Sequence, residues 1–414
     1  MNETDPLGRL TGMTAEDFAT QHWATAPLLR RAADLPGGGF ADMLSPDAVD
    51  ELVSQRGLRT PFLRMARDGS VRPPSSYTRS GGAGAEIADQ VADDKLLAEL
   101  AAGSTLVLQG LHRTWPPVVD LAGALARQLG HPVQVNAYLT PAQNTGFDPH
   151  YDVHDVFVLQ FTGRKRWRIH APVVDAPLRD QPWQDHRAAV AARAAEEPLI
   201  ETVLEPGDVL YLPRGYLHSA SALGELSGHL TIGVQPVTRA FLASRVLDLV
   251  SDDVELRRSL PMGVDLGDPD VLVGDLKATR DALHAAVDRL DDADVVATIA
   301  AAVGRHLSAG TRPAPLGPLA QLAAAERVSA DDVVVLRPGL RCTLGGPGDR
   351  DGTVRLRLPD KSLNLPERLA DAAARVVTGD PVTVADLGRE HGLEADDAAV
   401  LVRRLLLEGV VVPA

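Results

Sequence analysis

The chain has 414 residues, 45% hydrophobic and 23% charged, with 36 Gly, 30 Pro and one Cys. That balance excludes collagen-like, disulfide-framed and wholly disordered classes, and the length predicts two or three domains, each with its own core. A net charge of −15 disfavours non-specific binding to nucleic acid or anionic lipid and tolerates a basic protein partner.

In chain order, Met1 to Gly8 are polar and acidic, without the charged-then-apolar pattern of a secretory signal. No apolar run approaches the ~18 residues that span a bilayer, so the expected location is the cytoplasm of a bacterium. Thr14-Ala-Glu-Asp17 is a capping-box pattern that starts a helix running towards Trp23. Residues 36–104 mix Gly/Pro-rich loops with short helical stretches, and Ser104 to Gln109 reads as a strand before an amphipathic helix from about Pro117 to Leu129.

From Val133 to Val237 short apolar or alternating runs are separated by turn residues. Val133–Leu139, Val156–Phe161, Lys165–Ile169, Ile200–Leu204, Asp208–Leu212 and His229–Gln235 read as strands, with Thr162-Gly163 as a tight hairpin turn between two of them. Short strands with only one helical interruption, Gln184–Glu197, predict a barrel or jelly roll rather than a parallel sheet. After Thr238 the chain is helical over Ala240–Asp252, Asp268–Leu290 and Asp294–His306, followed by a Gly/Pro linker. Strands Val333–Leu336, Arg341–Leu344 and Thr353–Leu358 come next. Helices Pro366–Val376, Thr383–His391 and Ala395–Glu408 and a last strand, Val410–Val412, give the order of a winged helix. The fold class is therefore α+β, with predicted domains at 1–238 (barrel core about 104–237), 239–325 and 326–414.

One segment carries recognisable chemistry. In Pro149-His150-Tyr151-Asp152, residues two apart in an extended chain face the same side, so His150 and Asp152 converge. His218 follows an apolar strand and the turn Pro213-Arg214-Gly215, and would complete a set of two His and one carboxylate. Such a set leaves one face of a metal open, as in non-haem Fe(II) oxygenases. His154 shares the strand phase of this pair and reads as a surface or loop residue, while His229 reads as a polar barrel residue near the site. With one thiol, Cys342, a multi-cysteine metal site is excluded.

The second component is a cation. Alternation in Gly163-Arg164-Lys165-Arg166-Trp167-Arg168-Ile169 puts Lys165, Trp167 and Ile169 on one face and the arginines on the other. Only four of the 41 basic residues are lysine (Lys95, Lys165, Lys277, Lys361). A core-facing lysine needs a counter-charge, supplied by an internal Asp or Glu or by a dicarboxylate ligand.

These residues resemble the JmjC-type, cupin-like ribosomal oxygenases. The resemblance takes in Trp23-Ala-Thr-Ala-Pro-Leu-Leu29, Asn136-Ala-Tyr138, His150-Tyr-Asp152, Asp155-Val-Phe-Val-Leu-Gln160, Gly163-Arg-Lys-Arg-Trp167, Glu205-Pro-Gly-Asp208 and Leu212-Pro-Arg-Gly-Tyr-Leu-His218. It implies a double-stranded β-helix barrel followed by a helical dimerisation domain and a winged helix, and hence a homodimer. It implies that His150, Asp152 and His218 bind Fe(II), that Lys165 holds the far carboxylate of 2-oxoglutarate, and that Asn136, Tyr138, Thr145 and Thr231 line the cosubstrate pocket. It further implies that O₂ is the oxidant, that 2-oxoglutarate is decarboxylated to succinate, and that an Arg or His side chain of a ribosomal protein is hydroxylated. The same chemistry on N-methyl-lysine or a peptide natural product is an alternative, as is a metal-dependent isomerase in the same barrel. A ligand-sensing transcriptional regulator is another. Against it, residues 381–414 hold Arg389, Arg403 and Arg404 against six acidic side chains, so no direct DNA binding is expected.

Overall fold

Between positions 133 and 234 the chain forms eight strands, most of them on short apolar or alternating runs: β1 (Val133–Thr140), β2 (Phe147–His150), β3 (Asp155–Thr162), β4 (Lys165–His170), β5 (Ile200–Leu204), β6 (Val209–Leu212), β7 (Leu217–Ala222) and β8 (Ser227–Val234). The computed structural model describes residues 5–414 except 68, 85, 143–146, 252, 253, 349 and 350. The chain divides into two compact units, Met1–Pro236 and Val237–Ala414.

In the first unit the barrel strands fall into two antiparallel sheets. One has the order β6-β3-β8-β1 and is extended by the short strands Leu28–Arg30 at one edge and Thr105–Leu108, Leu63–Arg67 and Ser70–Val71 at the other. The other has the order β5-β4-β7-β2. Two facing antiparallel sheets give the barrel or jelly roll expected from the strand spacing, in the form the resemblance implies, a double-stranded β-helix.

Because β3 and β4 lie in different sheets, Thr162-Gly163 does not close a hairpin; it is the corner where the chain crosses from one sheet to the other. Gly163 has φ +57°, and a Cβ there would strike the Leu226 carbonyl, so the corner needs glycine for conformation and for space. Strands β2 and β7 escaped the hydrophobic pattern: Phe-Asp-Pro-His and Leu-His-Ser-Ala-Ser-Ala are poor in β-branched residues. Tertiary pairing makes them strands, β7 against β4 and β2 against β7.

Alternation sorts the side chains of the larger sheet. Val135, Ala137 and Leu139 of β1 and Leu230, Ile232 and Val234 of β8 face outwards, into the main core with Leu63, Leu106, Leu121 and Leu125. Truncating one such leucine to Ala costs about 2–5 kcal/mol. The inner faces supply a smaller core inside the barrel, with Val156, Val158, Trp167, Ile169, Leu204, Leu210, Leu212 and Ala220. The N-cap half of the predicted capping box is present: Thr14 Oγ1 accepts from the Asp17 N–H at 3.1 Å and starts the helix Ala15–Gln21, while the Asp17 carboxylate accepts from the Thr14 hydroxyl.

The second unit begins with helices α1 (Arg239–Val250), α2 (Pro269–Asp288) and α3 (Ala293–Gly310). Among their described apolar residues only Ala286, Val295 and Leu307 are buried, while Leu242, Leu247, Val273, Leu276, Val287 and Val296 are exposed. Helix α4 (Pro318–Glu326) then leads into a separate core built by β9 (Val333–Leu336), β10 (Thr343–Pro347), β11 (Thr353–Arg357), β12 (Ser362–Pro366), α5 (Ala370–Val377), β13 (Val382–Thr383), α6 (Val384–Glu390), α7 (Ala395–Leu407) and β14 (Val411–Pro413). β12 takes Pro366 and a 3₁₀ turn takes Glu367–Leu369, so the α-helix starts later than its sequence pattern indicates.

Candidate metal centre and its cavity

His150 ends β2, Asp152 lies in the loop after it, and His218 is the second residue of β7. β2 and β7 pair with His150 directly opposite His218, which brings the two rings to a centroid distance of 4.4 Å. Asp152 Oδ2 lies 3.7 Å from His218 Nε2, and one ligand atom from each of the three residues lies within 4.8 Å of the others.

The tautomers are set by hydrogen bonding. His150 Nδ1 lies 2.7 Å from the Asp148 carbonyl and His218 Nδ1 3.1 Å from the Tyr216 carbonyl. A carbonyl only accepts, so each Nδ1 carries the proton and each Nε2 keeps its lone pair for a ligand. Burial, reinforced by His150, pushes the His218 pKa down to about 4 and keeps its ring neutral. Burial opposes ionisation of Asp152, but His218, His154 and His150 outweigh it and hold the carboxyl below its usual range. Two imidazoles and a carboxylate, gathered on one side of a cavity, fit a divalent first-row metal with its remaining positions open.

That cavity has a volume of about 240 Å³ and runs from the triad to Lys165, with Val156, Val158, Tyr138, Trp167, His229 and Thr231 between. Lys165 opens β4 facing inwards, as the alternation predicts, while Arg166 and Arg168 face out towards Glu201 at 3.9 and 3.3 Å. Lys165 is fully buried, and its Nζ donates to Thr140 Oγ1 at 3.2 Å. Among the described residues no carboxylate pairs with it, and burial lowers its pKa to about 8. The internal Asp or Glu that would have explained a structural lysine is not found among the described residues.

His229 stacks on Tyr138 (5.2 Å, 8° between planes) and meets the edge of Trp167 at 5.5 Å. Burial, then the neighbouring Lys165 and His218, push its pKa well down and leave a neutral ring. His229 Nδ1 and Trp167 Nε1 are buried without hydrogen-bond partners, two polar atoms on a cavity wall with capacity for a ligand.

The other expected pocket residues are placed unequally. Tyr138 and Thr231 line the cavity. Asn136 sits opposite Thr231 in the β1–β8 register, and its Oδ1 accepts from the Gly110 N–H at 3.1 Å. Thr145 lies outside the described residues. His154 is not part of the three-residue cluster, and its ring rests over Gly233. Arg64 lines the cavity and was not legible in the sequence, because nothing local ties the strand Leu63–Arg67 to a barrel that starts at residue 133. Thr140, at the end of β1, was missed for the same reason: its partner Lys165 is 25 residues away.

Comparison with known proteins agrees with this architecture. Residues 115–242 match the JmjC domain family. The chain is 29% identical over 254 residues to ribosomal oxygenase 1 of Gallus gallus, covering 60% of this chain and 40% of that protein. It is 28% identical over 272 residues to the bifunctional lysine-specific demethylase and histidyl-hydroxylase NO66 of Drosophila persimilis, covering 61% and 35%. It thus spans 40% or less of the length of these curated relatives. The solved structure of the Escherichia coli ribosomal oxygenase YcfD in complex with cobalt and 2-oxoglutarate shares the fold, with a TM-score of 0.52 at 20% identity over 97% of this chain and 99% of that one.

Proposed function

With a JmjC domain shared with the ribosomal oxygenases as the premise, we propose that this chain is an Fe(II)- and 2-oxoglutarate-dependent oxygenase that hydroxylates an Arg or His side chain of a ribosomal protein. One observation carries the reading: a ligand triad and a fully buried lysine without a carboxylate partner among the described residues face one cavity. When bound, iron and 2-oxoglutarate would supply O₂-dependent oxidative decarboxylation to succinate and CO₂, coupled to insertion of one oxygen atom into a substrate C–H bond.

The chain's own residues do the positioning. His150, Asp152 and His218 hold the metal on one side, with both Nε2 lone pairs aimed by carbonyl hydrogen bonds. Lys165 holds the distal carboxylate of the cosubstrate, which provides the counter-charge its burial lacks. Tyr138, Thr231 and the unpartnered His229 Nδ1 line the same cavity and would contact the cosubstrate, while Val156 and Val158 would exclude water from it. An acidic chain attracts a basic ribosomal protein.

The second unit is read as a helical dimerisation segment at 239–325 and a winged helix at 326–414, in a homodimer. The exposed apolar side chains of α1–α3 support a second copy as their cover. In the winged helix, Arg389 pairs with Asp386, Arg404 with Glu408, and Arg403 donates to the Ala325 carbonyl. These commitments favour a protein-contact role over phosphate binding. Among the described residues no helix is long and apolar enough to cross a membrane, in keeping with a cytoplasmic location.

The deciding experiment supplies Fe(II) anaerobically, admits O₂, and measures conversion of 2-oxoglutarate to succinate with and without a ribosomal protein extract. Peptide masses are followed for a gain of about 16 Da, one oxygen atom. The expected result is turnover stimulated by the extract, with the added mass on an Arg or His peptide. Absence of both turnover and 2-oxoglutarate binding would overturn the proposal.

A further inference from the structure

The segment between β4 and β5, residues 171–199, braces the metal-bearing loops from outside the barrel. Tyr151 sits between His150 and Asp152, and Leu217 immediately precedes His218. Both turn away from the cavity into one small cluster with Val190 of this segment, flanked by Val173, Val174 and Trp183. The Tyr151 hydroxyl donates to the Gln181 carbonyl at 2.9 Å, and the Trp183 ring lies 6.3 Å from that of His150.

The turn before β7 is gripped in the same way. Gly215 donates its N–H to the Asp152 carbonyl at 3.0 Å, a direct tie between the two ligand loops. Its φ is +90°, and a Cβ there would lie 2.6 Å from the Val174 carbonyl oxygen and 2.8 Å from Pro177 Cδ. Glycine thus allows both the left-handed turn and the close approach of residues 172–177.

We propose that residues 171–199 are the positioning element of the metal centre, acting through Tyr151 and Gly215. The two imidazoles are aimed from within by the Asp148 and Tyr216 carbonyls, while the ligand-bearing backbone is held from outside by this segment. Fixing both loops before the metal arrives lowers the ordering cost of binding and sets the angle between the two imidazoles. The inference rests on the proposed metal site and adds to it an element that provides no ligand.

The test is a titration of the purified chain with Co(II), followed by visible absorption and paired with thermal melting. Tyr151→Phe removes only the hydroxyl and is expected to weaken Co(II) binding about tenfold, the usual consequence of losing an outer contact to a ligand loop. It should also alter the visible band while the melting temperature stays near wild type. Gly215→Ala should act in the same direction and more strongly. Gly130→Ala is the control, since Gly130 also has positive φ (+71°) at the end of the helix Pro116–Leu129, with nothing within 4 Å of an added Cβ. It should lower the melting temperature and leave Co(II) affinity and spectrum unchanged. If Tyr151→Phe binds Co(II) with wild-type affinity and spectrum, the positioning role is wrong while the metal site stands. If the wild-type chain itself fails to bind Co(II), the metal-site reading falls and this inference with it.

Discussion

The two ends of the cavity are built on opposite principles. At the triad the polar groups are satisfied in advance: both Nδ1 atoms meet carbonyls, Asp152 is stabilised by the surrounding histidines, and the loops are tied through Gly215. At Lys165 the reverse holds, with a buried ammonium left one hydroxyl partner and no carboxylate among the described residues. Preorganised geometry suits a small ion that demands fixed donor positions, whereas an unsatisfied charge suits an anionic ligand that brings its own compensation. On the proposed reading, the difference suits a resident metal at one end and an exchanging cosubstrate at the other.

The sharpest way to break this comparison is a double dissociation. His150→Ala should abolish Co(II) or Fe(II) binding, whereas Lys165→Ala should leave metal affinity within about twofold and weaken 2-oxoglutarate binding by about 100-fold or more, the scale of losing a buried charge-assisted contact. Calorimetric titration of each variant with metal and then with 2-oxoglutarate measures both. Loss of metal by Lys165→Ala with unchanged 2-oxoglutarate affinity would reverse the roles of the two ends.

A smaller effect comes from pH. With the Lys165 pKa at about 8, the ammonium is lost as pH rises through that value, so 2-oxoglutarate affinity should fall between about pH 7 and 9, and this dependence should vanish in Lys165→Ala. Protein saturated with Co(II) is the proper material, so that proton binding to the triad side chains does not enter. The same shift makes a stability prediction. The folded pKa of about 8 lies below the ordinary 10.5, so between these values the unfolded chain binds more protons and stability rises with pH. At neutral pH the ligand-free fold therefore carries the penalty of an uncompensated charge. Lys165→Met should remove it and raise the melting temperature by several degrees while eliminating 2-oxoglutarate binding. A fall in melting temperature would mean that the ammonium has a compensating partner.

Much of the site was legible because it depends on short-range geometry. The inward phase of Lys165, Trp167 and Ile169 comes from strand alternation alone, and the structure places each on the side that alternation assigns, whereas Asp152 joins His150 at the cavity from the loop just beyond the strand. The hairpin expected at Thr162-Gly163 failed for an equally physical reason. A turn of two residues looks the same whether the strands it joins pair with each other or enter opposite sheets, and only the packing around Leu226 selects the second. Likewise β2 and β7 lack strand propensity and exist because β4 provides the edge to which β7, and then β2, adds.

The amino-acid sequence by itself determined the barrel class, the helical character of the segment after the barrel, and the residue types able to bind a divalent metal and a carboxylate. Local periodicity and side-chain chemistry are properties of neighbouring residues and need no knowledge of the rest of the chain. Only the tertiary structure decided that His150 stands directly opposite His218, a residue far along the chain. It alone decided that Arg64 reaches the cavity and Thr140 the Lys165 ammonium, that Lys165 has no carboxylate partner among the described residues, and that residues 171–199 pack against the ligand loops. Each of these is a relation between distant segments, set by sheet pairing and by exclusion of water from a shared interior, and neither operates until the chain has folded.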